Sequence, residues 1–222
     1  MKTTHRGREQ LVTLLSNLAC RITGFQPDSF HIGAIEKIIR EKTREGLSPE
    51  ELARQTLEGD PEILASLYEA VPVGETYFFR QPGHYQYLET QVLPRHPGPS
   101  LKVWSAGCAT GEETYSLAGC LASSGLQIDV LGTDLSGKQL EKAKEGVYSA
   151  WSLRGSKEIP YPIFQEPVHP PYRIKNGIKA ATRFYQHNFL DSLPGGEGPF
   201  DIIFCRNALI YFTPAAARQA VK

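Results

Sequence analysis

The segment Gly107-Cys108-Ala109-Thr110-Gly111 lies between a run that reads as a strand, Leu101 to Ala106, and one that reads as a helix, Glu112 to Ala122. A strand that passes through glycines into a helix brings backbone N–H groups and a helix N-terminus up to a ligand. The spacing is not G-x-G-x-x-G, which disfavours a dinucleotide pyrophosphate, and no G-x-x-x-x-G-K-[ST] cradle for a triphosphate is present. Directly after the second glycine stand Glu112 and Glu113. Two carboxylates at a helix start repel phosphate and favour a cation. A ligand with an adenosine part and a positively charged amino-acid part meets both demands, and S-adenosylmethionine is such a ligand. Asp134 lies 23 residues beyond Gly111, at the end of the next expected strand. From there an acid can bond ribose hydroxyls, and it equally suits the cap of the following helix.

The elements that must position these residues follow from the pattern around them. Gln127–Thr133 reads as a second strand, Ser136–Glu145 as a helix, Thr182–His187 as a third strand and Phe200–Cys205 as an apolar fourth. Alternation of strand and helix predicts an α/β fold, a doubly wound, mostly parallel sheet over 101–222. An irregular Pro- and Tyr-rich stretch at about 155–180 reads as an insertion carrying a small β-hairpin. Its arms are Tyr172–Lys175 and Ile178–Ala180, and Asn176-Gly177 is the turn. Residues 1–70 carry helix signals only. Pro27-Asp28-Ser29 precedes Ile32, Ile35, Ile38 and Ile39; Ser48-Pro49-Glu50-Glu51 and Asp60-Pro61-Glu62 are further starts. They predict a small all-α domain, joined by a linker at 71–100. Leu11, Leu14, Leu15 and Leu18 keep helical spacing, so the Lys2, Arg6, Arg8 and Leu11–Cys20 stretch reads as an amphipathic helix and not as an export signal.

Composition narrows the class. Of 222 residues, 24 are Lys or Arg and 24 are Asp or Glu, so the net charge is zero. That gives no support to nucleic-acid binding, which calls for a basic excess. No apolar run reaches the length of a membrane span, so direct membrane insertion is not expected. Cys20, Cys108, Cys120 and Cys205 are scattered, without a Cys-x-x-Cys pair or a His companion. Neither a metal site nor a disulfide framework is expected, and a reducing cytoplasmic location fits.

Several stretches together resemble the chemotaxis-receptor methyltransferases, the CheR type, which transfer a methyl group from S-adenosylmethionine to glutamate side chains of membrane chemoreceptors. They are Glu75-Thr-Tyr-Phe-Phe-Arg80, Trp104-Ser-Ala-Gly-Cys-Ala-Thr-Gly-Glu-Glu113 with Tyr115-Ser116, Asp134-Leu-Ser136, Gly146-Val-Tyr148, Asn188-Phe-Leu190, and Phe204-Cys-Arg-Asn207 with Ile210-Tyr-Phe212. The resemblance implies a Rossmann-like methyltransferase domain behind a small helical one. It also implies strands beyond the last motif, so on this reading the chain either stops within the sheet or lacks those strands. Trp151-Ser-Leu-Arg154 resembles a branch of the family found in signalling pathways other than motility.

Roles carry over residue by residue. Thr76 and Arg80 match the linker motif that reaches the cofactor, and Gly74 stands where many members have Asn. Gly107 belongs to the loop, and either Glu112 or Glu113 takes the cofactor's amino group. Asp134 matches the ribose acid, Asn188 and Phe189 the pair beside adenine, and Asn207 and Ala208 the pair near the methionine part. Arg80 and Tyr211 match the residues that orient the acceptor carboxylate, and the cytoplasmic helices of membrane chemoreceptors are the implied partners. The resemblance leaves a second function open, a catalytically weak cofactor-binding module. Blander readings stand beside these: Tyr211 packing on Phe212, Cys108 as a small residue giving backbone clearance, His169-Pro-Pro-Tyr172 as a loop. Lys37, Arg40, Lys42 and Arg44 face either an acidic receptor helix or solvent, since Glu36, Glu41 and Glu45 interleave with them.

Overall fold

The computed structural model describes residues 5–27, 32–70, 74–155, 158–193, 195 and 197–221. The chain divides into two compact units. One comprises Met1–Val73, Asn188–Ser192 and Ala208–Lys222; the other comprises Gly74–His187 and Leu193–Asn207.

The first unit is helical. Helices α1 (His5–Thr23), α2 (Ile32–Arg44), α3 (Pro49–Glu58) and α4 (Pro61–Glu69) pack on one another. Leu11, Leu15 and Leu18 of α1, Ile35, Ile38 and Ile39 of α2, Leu52 of α3 and Ile63 and Leu67 of α4 are buried. Spacings of three and four put each set on one face, which is the stripe that drives such packing. Leu14 lies at the stripe's margin, 37% exposed. The local starts are chemical. Ser48 Oγ accepts the Glu51 N–H at 3.2 Å, while Glu51 Oε2 accepts the Ser48 N–H at 2.9 Å. Asp60 Oδ1 accepts the Glu62 and Ile63 N–H groups at 3.0 and 3.1 Å. These bonds satisfy donors that a helix start leaves orphaned. In the expected start at Pro27-Asp28-Ser29, Asp28 and Ser29 lie outside the described residues. In the same unit Phe25 pairs with Phe212, and a short last helix, Pro214–Ala220, buries Ala216 against Gly24.

The second unit is built on a four-stranded, all-parallel sheet. Its strands are β1 (Ser100–Ala106), β2 (Gln127–Asp134), β5 (Thr182–Gln186) and β6 (Ile202–Cys205), in the order β5-β2-β1-β6. Ala106, Thr133 and Cys205 are level at the C-terminal end. Helix α5 (Pro82–Tyr87) precedes β1, α6 (Glu112–Ala122) follows it, and α7 (Gly137–Glu145) follows β2. Helix α6 packs on β1, β2 and β5, and everything from Thr114 to Leu121 is buried. Its small residues permit this: a Cβ on Gly119 would overlap Ile163. Ser136 caps α7 by accepting the Gln139 N–H at 3.2 Å.

The insertion differs from expectation. A small antiparallel pair is present, but it joins β3 (Val147–Tyr148) to β4 (Tyr172–Arg173), and Asn176–Ala180 is a short helix, α8. Asn176-Gly177 is therefore no hairpin turn. Gly177 lacks the positive φ that a type I′ turn requires. The Lys179 N–H instead donates to the Lys175 carbonyl, as in a helix, while Phe164 packs on Tyr172 with ring centroids 5.4 Å apart. Among the described residues no helix is long and apolar enough to cross a membrane.

Candidate functional site

The strand order reverses at β1. The chain moves outward through β2 and β5, then returns to place β6 on the other side of β1. In open α/β sheets ligands sit outside the carboxyl ends of the strands at such a switch point. Here the ends carry the loop Gly107–Gly111 after β1 and Arg206-Asn207 after β6.

The loop is pinned rather than slack. The N–H groups of Gly107 and Cys108 both donate to the Thr133 carbonyl at 2.8 Å, and the Gly111 N–H donates to the Cys108 carbonyl at 2.9 Å. Gly107 has φ 76° and Gly111 φ 91°, a region that only glycine visits without cost. Gly111 also admits Ala143, whose Cβ would lie 2.8 Å from an added Cβ. Asp134 closes the loop from β2: Oδ2 accepts the Ala109 N–H at 2.9 Å and Oδ1 accepts the Ser136 N–H at 3.0 Å. The acid thus serves the loop and the start of α7 at once.

Among the described residues four non-glycine positions have positive φ: Phe79 (54°), Gln81 (58°), Ala109 (48°) and Asn207 (56°). Ala109 is in the loop, Asn207 follows β6, and Phe79 and Gln81 flank Arg80. Each costs about 1–2 kcal/mol and persists only where its surroundings impose it. Strain of this kind concentrates at functional sites, and here it falls on the segments the sequence had marked.

The two glutamates differ in environment. Glu112 is 3% exposed; its carboxylate accepts the Thr110 hydroxyl at 2.6 Å and the Ser152 hydroxyl at 2.9 Å, and no cation lies within ion-pair distance among the described residues. Glu113 accepts the Ser105 hydroxyl at 2.8 Å and faces Arg206 Nε at 3.5 Å. Burial pushes the Glu113 carboxyl up to about 7, against the opposing pull of Arg206, Ser105 and Arg80. Glu113 has its counter-charge within the protein, and among the described residues Glu112 has only neutral donors.

Arg80 extends from the linker. Its Nη1 donates to the Glu75 carbonyl at 2.6 Å, its guanidinium lies 5.5 Å from the Tyr77 ring centroid, and its own carbonyl accepts Arg206 Nη2 at 2.7 Å. Thr76 and Gly74 stand just before it, both partly exposed, and a Cβ on Gly74 would meet nothing within 4 Å. Asn207 is exposed. So Gly107, Glu112, Glu113, Asp134, Arg80, Thr76, Gly74 and Asn207 share the sheet-bearing unit. Asn188, Phe189, Ala208 and Tyr211 belong to the helical unit. There Asn188 Nδ2 donates to the Ile22 carbonyl at 2.6 Å, and Phe189 stacks on Phe212 at 5.7 Å. The Tyr211 ring sits edge-on to Phe25 at 6.4 Å, and the Tyr211 N–H donates to the Ala208 carbonyl at 3.3 Å.

Sequence reasoning gave no role to Ser105, Thr110, Ser152 and Arg206, which hold the two glutamates and the Arg80 turn. The available signal was only their place inside the quoted motifs. Cys108 is buried and its thiol is pushed well above its ordinary value by burial, which fits a clearance residue. The basic set on α2 is largely offset on its own unit: Lys37–Glu41 at 3.7 Å, Arg40–Glu36 at 3.6 Å, and Lys42 with Glu45 and Glu62 at 2.9 and 3.4 Å. That pairing matches a solvated face. Among the described residues no cluster of three His, Cys, Asp or Glu could hold a metal ion.

Comparison with known proteins bears on the same residues. Residues 74–222 match the family described as CheR methyltransferase, SAM binding domain. A probable biofilm formation methyltransferase, WspC, of Pseudomonas aeruginosa is 33% identical over 208 residues, covering 90% of this chain and 49% of that protein. A chemotaxis protein methyltransferase of Listeria monocytogenes is 35% identical over 170 residues, covering 74% and 64% respectively. Chemotaxis protein methyltransferase 1 of Pseudomonas aeruginosa is 34% identical over 167 residues, covering 68% and 60%. The chain spans about half to two thirds of the length of these relatives. With the family pattern matched over the whole sheet-bearing unit, the chain belongs to the CheR methyltransferase family.

Proposed function

We propose that this chain holds S-adenosylmethionine at the end of its parallel sheet and transfers the methyl group to glutamate side chains on the cytoplasmic helices of chemoreceptors. The observation that carries the reading is Glu112. A buried carboxylate is costly unless its charge is met, and this one has two hydroxyl partners and, among the described residues, no cation. An ammonium group from a ligand would meet it, and the charge balance favours Glu112 over Glu113, which already faces Arg206. Asp134 is the acid for the ribose, while keeping its two backbone bonds. The loop from Gly107 lets the backbone come close. Gly74 and Thr76 approach from the linker. Family resemblance supports Asn188 and Phe189 for adenine and Asn207 and Ala208 for the methionine part.

When bound, the cofactor supplies a methyl group on a sulfonium, which is already a good leaving group. A glutamate carboxylate is an anion at pH 7 and needs no base. The protein's own work is orientation and exclusion of water. Arg80 suits it: a guanidinium grips a carboxylate with two parallel bonds, and bonding to Glu75 and packing on Tyr77 limit its rotamers. The resemblance gives the Tyr211 hydroxyl a part in the same task. WspC, whose name refers to biofilm formation and which matches 90% of the chain, supports a receptor outside motility as the partner, as does Trp151-Ser-Leu-Arg154.

The test is methylation of a receptor cytoplasmic fragment, read as methanol released by mild alkali. Alkali-labile label is expected. Alkali-stable label would point to N-methylation and overturn the substrate assignment. Cofactor binding without transfer would overturn the enzymatic half and leave a binding module.

A further inference from the structure

Arg206 is partly buried beside the candidate site and enters the reading above only as the counter-charge of Glu113. Its side chain is 11% exposed, its guanidinium lies 5.7 Å from the Phe204 ring centroid, and two polar contacts of different kinds bear on the site. Nη2 donates to the Arg80 carbonyl at 2.7 Å, across 126 residues of sequence, and Nε faces Glu113 Oε2 at 3.5 Å. Glu113 is itself held by the Ser105 hydroxyl at 2.8 Å. Arg80 stands between Phe79 and Gln81, both left-handed, and Arg206 directly precedes left-handed Asn207. Such backbone relaxes unless tertiary bonds hold it. Among the described residues the Arg80 turn has three: the Phe78 N–H donates to the Ser152 carbonyl at 2.8 Å, the Phe79 N–H donates to Ser116 Oγ at 2.9 Å, and Arg206, the one side chain that bonds to the main chain of Arg80 itself, takes the Arg80 carbonyl. One guanidinium therefore ties the strained linker turn to the strained turn after β6.

We propose that Arg206 is a positioning residue: held by Glu113, it fixes the main chain of Arg80 and so the direction of the Arg80 guanidinium. This rests on the reading of Arg80 as a cofactor and acceptor contact. Lysine is a poor substitute, since a single ammonium cannot offer the planar fork that spans a carbonyl and a carboxylate.

The experiment is a double-mutant cycle on the 222-residue chain, with S-adenosylhomocysteine as the calorimetric probe and circular dichroism as the check on folding. Arg80→Ala and Arg206→Met are each expected to weaken binding about tenfold, the scale of one charge-assisted bond. The double variant should be within about twofold of the weaker single one, because both remove the same contact. Arg206→Lys should recover part of the loss, and it takes the place of Arg206→Met in the cycle if the latter does not fold. Losses that multiply in the double variant, or parent-like binding by the Arg206 variant, would overturn the proposal while leaving Arg80's role intact. Parent-like binding by Arg80→Ala would overturn the reading of Arg80 itself, and this inference with it.

Discussion

Replacing Glu113 with Gln should change how stability depends on pH, and the sign follows from the environment of the carboxyl. Its ordinary value is 4.5, and burial pushes it up to about 7 in the fold. Between those two values the folded protein keeps the proton and the unfolded chain releases it. The contribution of Glu113 to stability is therefore fully present below about pH 4.5 and is lost as pH rises through 7. The gap corresponds to about 3 kcal/mol at 1.36 kcal/mol per pH unit. Gln does not titrate. The stability of the Gln variant relative to the parent should thus rise by up to about 3 kcal/mol from pH 5 to pH 8. Urea unfolding at several pH values measures this, followed by tryptophan fluorescence. Both tryptophans of the chain, Trp104 and Trp151, lie in the sheet-bearing unit and report on it. A relative stability that stays flat or falls with rising pH would refute the reasoning, because it would mean that Arg206 outweighs burial at this carboxyl.

Other expectations follow from the same contacts. Gly119→Ala should destabilise by about 1–3 kcal/mol in thermal unfolding, since its Cβ would overlap Ile163 in a close-packed core. Ser48→Ala should cost about 1 kcal/mol, read by helical circular dichroism, through loss of the reciprocal cap on α3. Cys108 should resist alkylation at pH 8 in the native protein and react once unfolded, measured by peptide mass spectrometry, because burial keeps its thiol protonated.

Much of the scaffold was legible because its signals are local. The inner strands β1 and β2 carry the buried residues of the sheet and read as largely apolar runs; Gln127–Thr133 and the observed Gln127–Asp134 differ by one residue. Ser48 and Asp60 announce their helices through side-chain chemistry that needs no tertiary context. The insertion was misread because its pairing is not local: β4 finds β3, some 25 residues upstream, and leaves Asn176-Gly177 to a helix. The candidate site divides in the same way. Gly107, Glu112, Glu113 and Asp134 are bound to strand ends and can be found from spacing. Arg206 cannot, since its meaning lies in a bond to residue 80. Nor could the sequence distinguish Glu112 from Glu113. Nine of the eleven residues of α6 are buried, so no polar face marks which carboxylate has a partner.

The claim at the centre is that the end of this sheet holds an adenosine cofactor through Asp134. Calorimetric titration of S-adenosylhomocysteine into the parent chain and into Asp134→Ala tests it most directly. The parent should bind at a single site, and the variant should bind at least about tenfold more weakly, since it loses the carboxylate that accepts the Ala109 N–H and that we propose serves the ribose. A folded parent that takes up no S-adenosylhomocysteine, or a variant that binds with unchanged affinity, would contradict the account.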